Sequence, residues 1–180
     1  MSKAAKFTKE DELLLKDFSA AVSKTGILLF YGISTLVGIA PLCLYYAIHH
    51  MDGYESWIIW AVSVAGVSYL LTQAYKNTKH ILKHQIIVKR GDAIAREMNR
   101  LLGDDKKISR KERDERILWK KNEVGDYEAM MFSIFYNNVL FYAAFLFLGF
   151  FLFAALSAPL NCVLSMFGAA GVSLLFSTAK

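Results

Sequence analysis

Seven cations fall within fifteen residues of this chain: Lys106, Lys107, Arg110, Lys111, Arg113, Arg116 and Lys120. Ammonium and guanidinium groups at that density suit phosphate contact, which is charge-driven and needs no base recognition. Sequence-specific RNA reading is not expected, because no aromatic-rich recognition module accompanies them. A second candidate, His49, His50, Asp52 and Glu55, has metal-ligand residue types. Their spacing in a short turn does not aim four donors at one point, so a polar turn is expected there. Cys43 and Cys162 stand alone, without a disulfide framework or a C-x-x-C pair. Gly-rich phosphate loops, nucleophile elbows and paired carboxylates on one helical face are all missing, so the residues suggest no catalytic group, cofactor or metal.

The elements that must position the cations follow from charge and apolarity. Of 180 residues 55 % are hydrophobic, and they gather in four uncharged runs over 26–48, 56–75, 129–156 and 160–178. Each is near the roughly 20 residues a helix needs to cross about 30 Å of hydrocarbon. Helices are expected because they satisfy their backbone groups internally. The fold class is therefore an all-α membrane protein with four transmembrane helices. All 21 Lys and Arg lie in residues 1–25, in the loop 76–128 or at Lys180, and none in the connectors 49–55 and 157–159. Cations stay on the cytosolic side, which predicts cytosolic termini (1–25 and 179–180), a cytosolic loop and luminal connectors. No cleavable signal peptide is expected, so the first run would act as an uncleaved insertion signal. Tyr45, Tyr46, Trp57 and Trp60 are expected at the outer border, and Pro41 should kink the first span. Asn137 and Asn138 in the third span, and Gln73 in the second, should hydrogen-bond between helices. Gly168, Ala169, Ala170 and Gly171 offer a small-residue packing face. Thr8, Glu10 and Asp11 with Leu14, Phe18 and Val22 predict an amphipathic helix, either on the interface or against the large loop.

The loop 76–128 reads as a helical hairpin. Ile87, Ile94, Met98 and Leu101 keep a helical period, Gly103-Asp104-Asp105 interrupts it, and Ser109 with Glu112 forms a capping box for a second helix. About 25 residues at about 1.5 Å each put the turn on the order of 40 Å out. At about 100° per residue Arg110, Arg113, Arg116, Lys120 and Lys121 share one arc, with Glu112, Glu115, Glu123 and Trp119 opposite. Lys76, Lys79, Lys83 and Arg90 form a row on the first helix, and apart from Glu112 and Arg116 most cations lack a helical partner four residues away. The segment 76–127 holds fifteen Lys and Arg against nine Asp and Glu. Such a surface fits a polyanion, and RNA is the large phosphate polymer expected in the cytosol. The alternative is anionic membrane lipid and a membrane-shaping protein, although the turn would stand well beyond the Debye length of about 8 Å over which headgroup charge is felt. A small transporter is disfavoured, since no ionisable residue lies mid-span.

Residues 109–129, SRKERDERILWKKNEVGDYEA, and 132–138, FSIFYNN, resemble the gamma subunit family of the translocon-associated protein complex, also called the signal sequence receptor. AYKNTKHILKH (74–84) and EDELLLKDFS (10–19) are similar too, and Gly125 stands where a better helix former is expected. The resemblance implies a non-enzymatic subunit in the endoplasmic reticulum membrane, complexed with alpha, beta and delta subunits. It further implies association with the Sec translocon and with ribosomes engaged on it. The polyanion would then be ribosomal RNA with neighbouring ribosomal protein.

Overall fold

The structure is a computed structural model that describes residues 24–102 and 110–179. The amphipathic helix expected before Lys24, the Gly103-Asp104-Asp105 turn and the Ser109 half of the capping box lie outside the described residues, as do Lys106 and Lys107. Among the described residues the chain is all-helical, with no strand. Helix α1 spans Lys24–Ala47, α2 Gly53–Leu102, α3 Arg110–Phe147 and α4 Ala158–Thr178, and one π-helical turn, Leu148–Leu152, continues α3. All four helices are long and apolar enough to cross a membrane. The chain divides into a bundle unit over residues 23–78 and 133–180 and a hairpin unit containing 79–132.

The bundle unit buries polar side chains beside Phe30, Leu71, Phe141 and Met166 and leaves other large apolar side chains exposed. Ser34, Ser63, Thr72, Ser133, Asn137, Asn161, Ser165 and Ser173 are fully buried, while Leu28, Leu36, Phe135, Phe151 and Leu175 are exposed. Lipid gives no hydrophobic reward for hiding leucine, so hydroxyls and amides can turn inward, where most of those named find partners and Ser63 Oγ does not, and small side chains let helices approach. Ser34 and Thr72 share a hydrogen bond of 3.1 Å between α1 and α2. Ala169 and Ala170 are buried on α4, and a methyl on Gly168 would come within 2.9 Å of Leu148. Gly171, by contrast, faces open space, so the small-residue face is used only in part. Gly66 of α2 lies under the Phe167 ring, a close approach with no sequence signal of its own.

Two irregularities are each satisfied by a side chain from another helix. Pro41, inside α1, has no N–H to offer the Val37 carbonyl four residues back. The Tyr142 hydroxyl of α3 donates to that carbonyl at 3.2 Å instead. At the π turn, the Gly149 carbonyl accepts from Asn161 Nδ2 at 3.0 Å. Asn161 Oδ1 in turn accepts from the Tyr45 hydroxyl at 2.9 Å, which also meets Ser165 Oγ at 2.6 Å. Tyr45, two residues from the end of α1, is only 2 % exposed, its ring turned into the bundle where its hydroxyl has buried partners; Tyr46 and Trp57 are exposed. The uncharged run to Leu156 outlasts the last helical residue, Leu152, because the turn that follows is apolar as well. Pro159 sits in the first turn of α4, where an N–H would have no helical acceptor.

Candidate polyanion-docking surface

In the hairpin unit α2 and α3 run antiparallel, as paired positions show: Lys79 meets Asp126, Ile87 meets Gly125 and Gly91 meets Lys121. Ile87, Ile94 and Ile117 are buried at this seam, whereas Leu101, expected on the same stripe, is exposed. Gly125 does not interrupt α3. A methyl there would stand 2.6 Å from Ile87 Cγ1. Glycine therefore sets the spacing of the two helices, at a helix-propensity cost of about 1 kcal/mol relative to alanine.

The basic row expected on α2 has a different role from phosphate contact. Lys79 and Lys83 are 5 % and 6 % exposed. Both turn to Asp126: Lys79 Nζ lies 3.0 Å from each carboxylate oxygen, and Lys83 Nζ lies 3.2 Å from Oδ1. Arg90 pairs with Glu128. Lys76 sits over the Tyr31 ring in the bundle unit, 5.9 Å from its centroid. Burial raises the Asp126 pKa, but the Lys79 hydrogen bond and charge, followed by Lys83, outweigh it and hold the carboxyl below its ordinary 3.8. A row of lysines can serve an acid on the neighbouring helix, and helical periodicity along one chain cannot distinguish that from an open face.

The basic arc of α3 is only partly open. Ile117, which lies within the arc, faces the α2 seam, and Arg113, Lys120 and Lys121 beside it are half-buried. The stem of Lys121 covers Gly91, its Cε 3.7 Å from where a β-carbon would stand. Arg116 and Glu112 pair at 2.8 Å, as their spacing predicts, and Lys120 pairs with Glu123 at 2.8 Å. Lys111 and Arg116 are exposed. Arg110 opens the helix, with its side chain outside the described residues. Trp119, on the opposite arc, is 62 % exposed. In the connector between α1 and α2, His49 stacks on Tyr45 at 5.0 Å and Asp52 Oδ1 accepts from the Tyr54 N–H at 2.9 Å.

A family model described as translocon-associated protein, gamma subunit, matches residues 10–179. The chain belongs to that family. It is also similar to the translocon-associated protein subunit gamma of Dictyostelium discoideum, with 26 % identity over 147 residues, 82 % of this chain and 83 % of the relative. The FSIFYNN segment that carries much of the family resemblance is the stitch between α3 and α2. Ser133 Oγ donates to the Tyr75 carbonyl at 2.6 Å, and Asn137 Nδ2 donates to Thr78 Oγ1 at 2.9 Å. The Tyr75 hydroxyl donates to Asn138 Oδ1. Both asparagines thus bond between helices, as polar groups inside spans should.

Proposed function

We propose that this gamma-subunit family member is a non-enzymatic anchor in the endoplasmic reticulum membrane, whose basic hairpin faces the cytosol and docks the translating ribosome. The spans hold the alpha, beta and delta subunits beside the Sec translocon, and the docked assembly supports co-translational translocation or insertion. The observation that carries this reading is the distribution of cations: fifteen in 76–127 and none in the connectors at the other ends of the spans. Positive charge retained on one side orients the chain, and its excess over the nine acids in that segment suits ribosomal RNA and adjoining ribosomal protein. Lys106, Lys107, Arg110, Lys111, Arg113, Arg116 and Lys120 are the proposed contact residues. Family membership supports the complex and the compartment.

Reversing Lys106, Lys107, Arg110 and Arg113 to Glu should weaken cosedimentation of the assembled complex with ribosomes near physiological salt, while the subunits still copurify. Undiminished cosedimentation would reject the docking role. Binding of the hairpin to anionic vesicles with indifference to ribosomes would favour the lipid reading instead.

A further inference from the structure

The hairpin carries a second cationic surface, which the helical arithmetic of α3 does not reveal. Along α2, the residues at the α3 seam are Lys83, Ile87, Gly91 and Ile94, all buried. At about 100° per residue they span an arc of about 80°. Lys89, Arg96 and Arg100 fall within about 40° of one another, centred about 160° from the middle of that arc. All three are exposed. Pointing away from α3, they lie out of reach of its carboxylates, unlike Lys79, Lys83 and Arg90, which serve Asp126 and Glu128. The nearest acids on their own helix, Asp92 and Glu97, flank the stripe without closing an ion pair to it among the described residues. Arg96 Nε donates to the Asp92 backbone carbonyl at 3.2 Å, which orients the guanidinium and leaves its terminal nitrogens available. A rise of about 1.5 Å per residue spaces the three groups about 10 Å and about 6 Å apart along the axis.

We propose that Lys89, Arg96 and Arg100 form a phosphate-contacting stripe, so that α2 as well as the hairpin tip holds the RNA backbone. The inference rests on the docking reading above and adds to it a face and three residues. An arginine offers a planar fork to phosphate oxygens, and two arginines one helical turn apart can bridge successive anionic groups. The outward direction fits a large external polyanion, since among the described residues the stripe closes no ion pair. Three phosphate contacts should each contribute about 0.7 to 0.9 to the log–log salt slope of binding, about 2 to 3 in total.

The test uses the full chain in its assembled complex, salt-washed ribosomes and phosphatidylserine vesicles. Lys89→Gln, Arg96→Gln and Arg100→Gln are combined, and binding is followed from 50 to 200 mM salt. The slope should flatten by about 2 to 3, which removes about a 20- to 40-fold share of the affinity lost over that range. Unchanged helicity would show that the exposed substitutions leave the hairpin folded. If the slope holds while the tip reversals weaken binding, the stripe is overturned and the docking role stands. If neither set of changes alters ribosome binding, both fall. If the stripe variant loses only vesicle binding, the stripe belongs to lipid and the proposal is wrong.

Discussion

Replacing Asp126 with alanine should loosen the hairpin by about 2 to 3 kcal/mol, because Lys79 and Lys83 lose the carboxylate that holds them. Removing one partner of a fully buried ion pair costs about 3 to 5 kcal/mol. The lower figure here reflects Asp126 itself, whose side chain is 41 % exposed while both lysines are buried. The readout is amide hydrogen exchange across 79–102 and 110–132, which should speed up by about 30- to 150-fold if local opening controls it. Replacing the whole triad with apolar residues, as Lys79→Met, Lys83→Met and Asp126→Leu, should restore much of the loss, since no ammonium then remains buried. Failure of both outcomes would mean that the triad does not hold the helices together. Acid gives the same test without mutation. The Asp126 pKa lies below its ordinary 3.8, so its contribution to stability is fully present above that value. It is lost as pH falls through the depressed folded pKa. Hairpin protection should decline there, and the Asp126→Ala variant should lack that component of the decline.

Gly125→Leu should be comparably damaging for a different reason. Even a β-carbon at this position would approach Ile87 Cγ1 to 2.6 Å and Cδ1 to 3.1 Å. Ile87 is 2 % exposed and cannot swing into solvent. Overpacking a fitted seam costs about 1 to 3 kcal/mol, and leucine belongs at the upper end, about 3 kcal/mol. Better helix propensity returns only about 1 kcal/mol of it. Adding Ile87→Ala should recover part of the loss, a coupling of the size that residues in contact show, about 0.5 to 3 kcal/mol. Gly171→Leu serves as the control, since that position faces open space and should tolerate the side chain. Equal exchange rates in Gly125→Leu and the parent would refute the close approach.

These two positions also show how far the residues alone could be read. Span number, helix type and the hairpin were legible because runs without charge and a 3.6-residue period are properties of one segment at a time. The bonds of Asn137 and Asn138 were legible too, because an amide within a span has few options besides another helix. What could not be read was pairing between segments. Lys79 and Lys83 resembled an open basic row until Asp126, more than forty residues on, supplied their partner. Gly125 looked like a poor helix former until Ile87 occupied the space above it. Tyr45 resembled an interfacial anchor, yet its hydroxyl is claimed by Asn161 and Ser165 from α4. Arg96 and Arg100 are inconspicuous in the sequence because the α3 cations are denser. Only the direction of the seam separates the cations spent inside the hairpin from those left facing outward.

The reading depends on segment 76–128 lying on the ribosome side of the membrane, against a phosphate-rich surface. A density map of the detergent-solubilised complex bound to ribosomes, at a resolution that places α2 and α3, tests this most directly. The account predicts the hairpin in contact with ribosomal RNA, with the tip near Lys111 and the outer face of α2 toward the phosphates. A hairpin found in the lumen, or lying along the lipid headgroups with the ribosome out of reach, would contradict it.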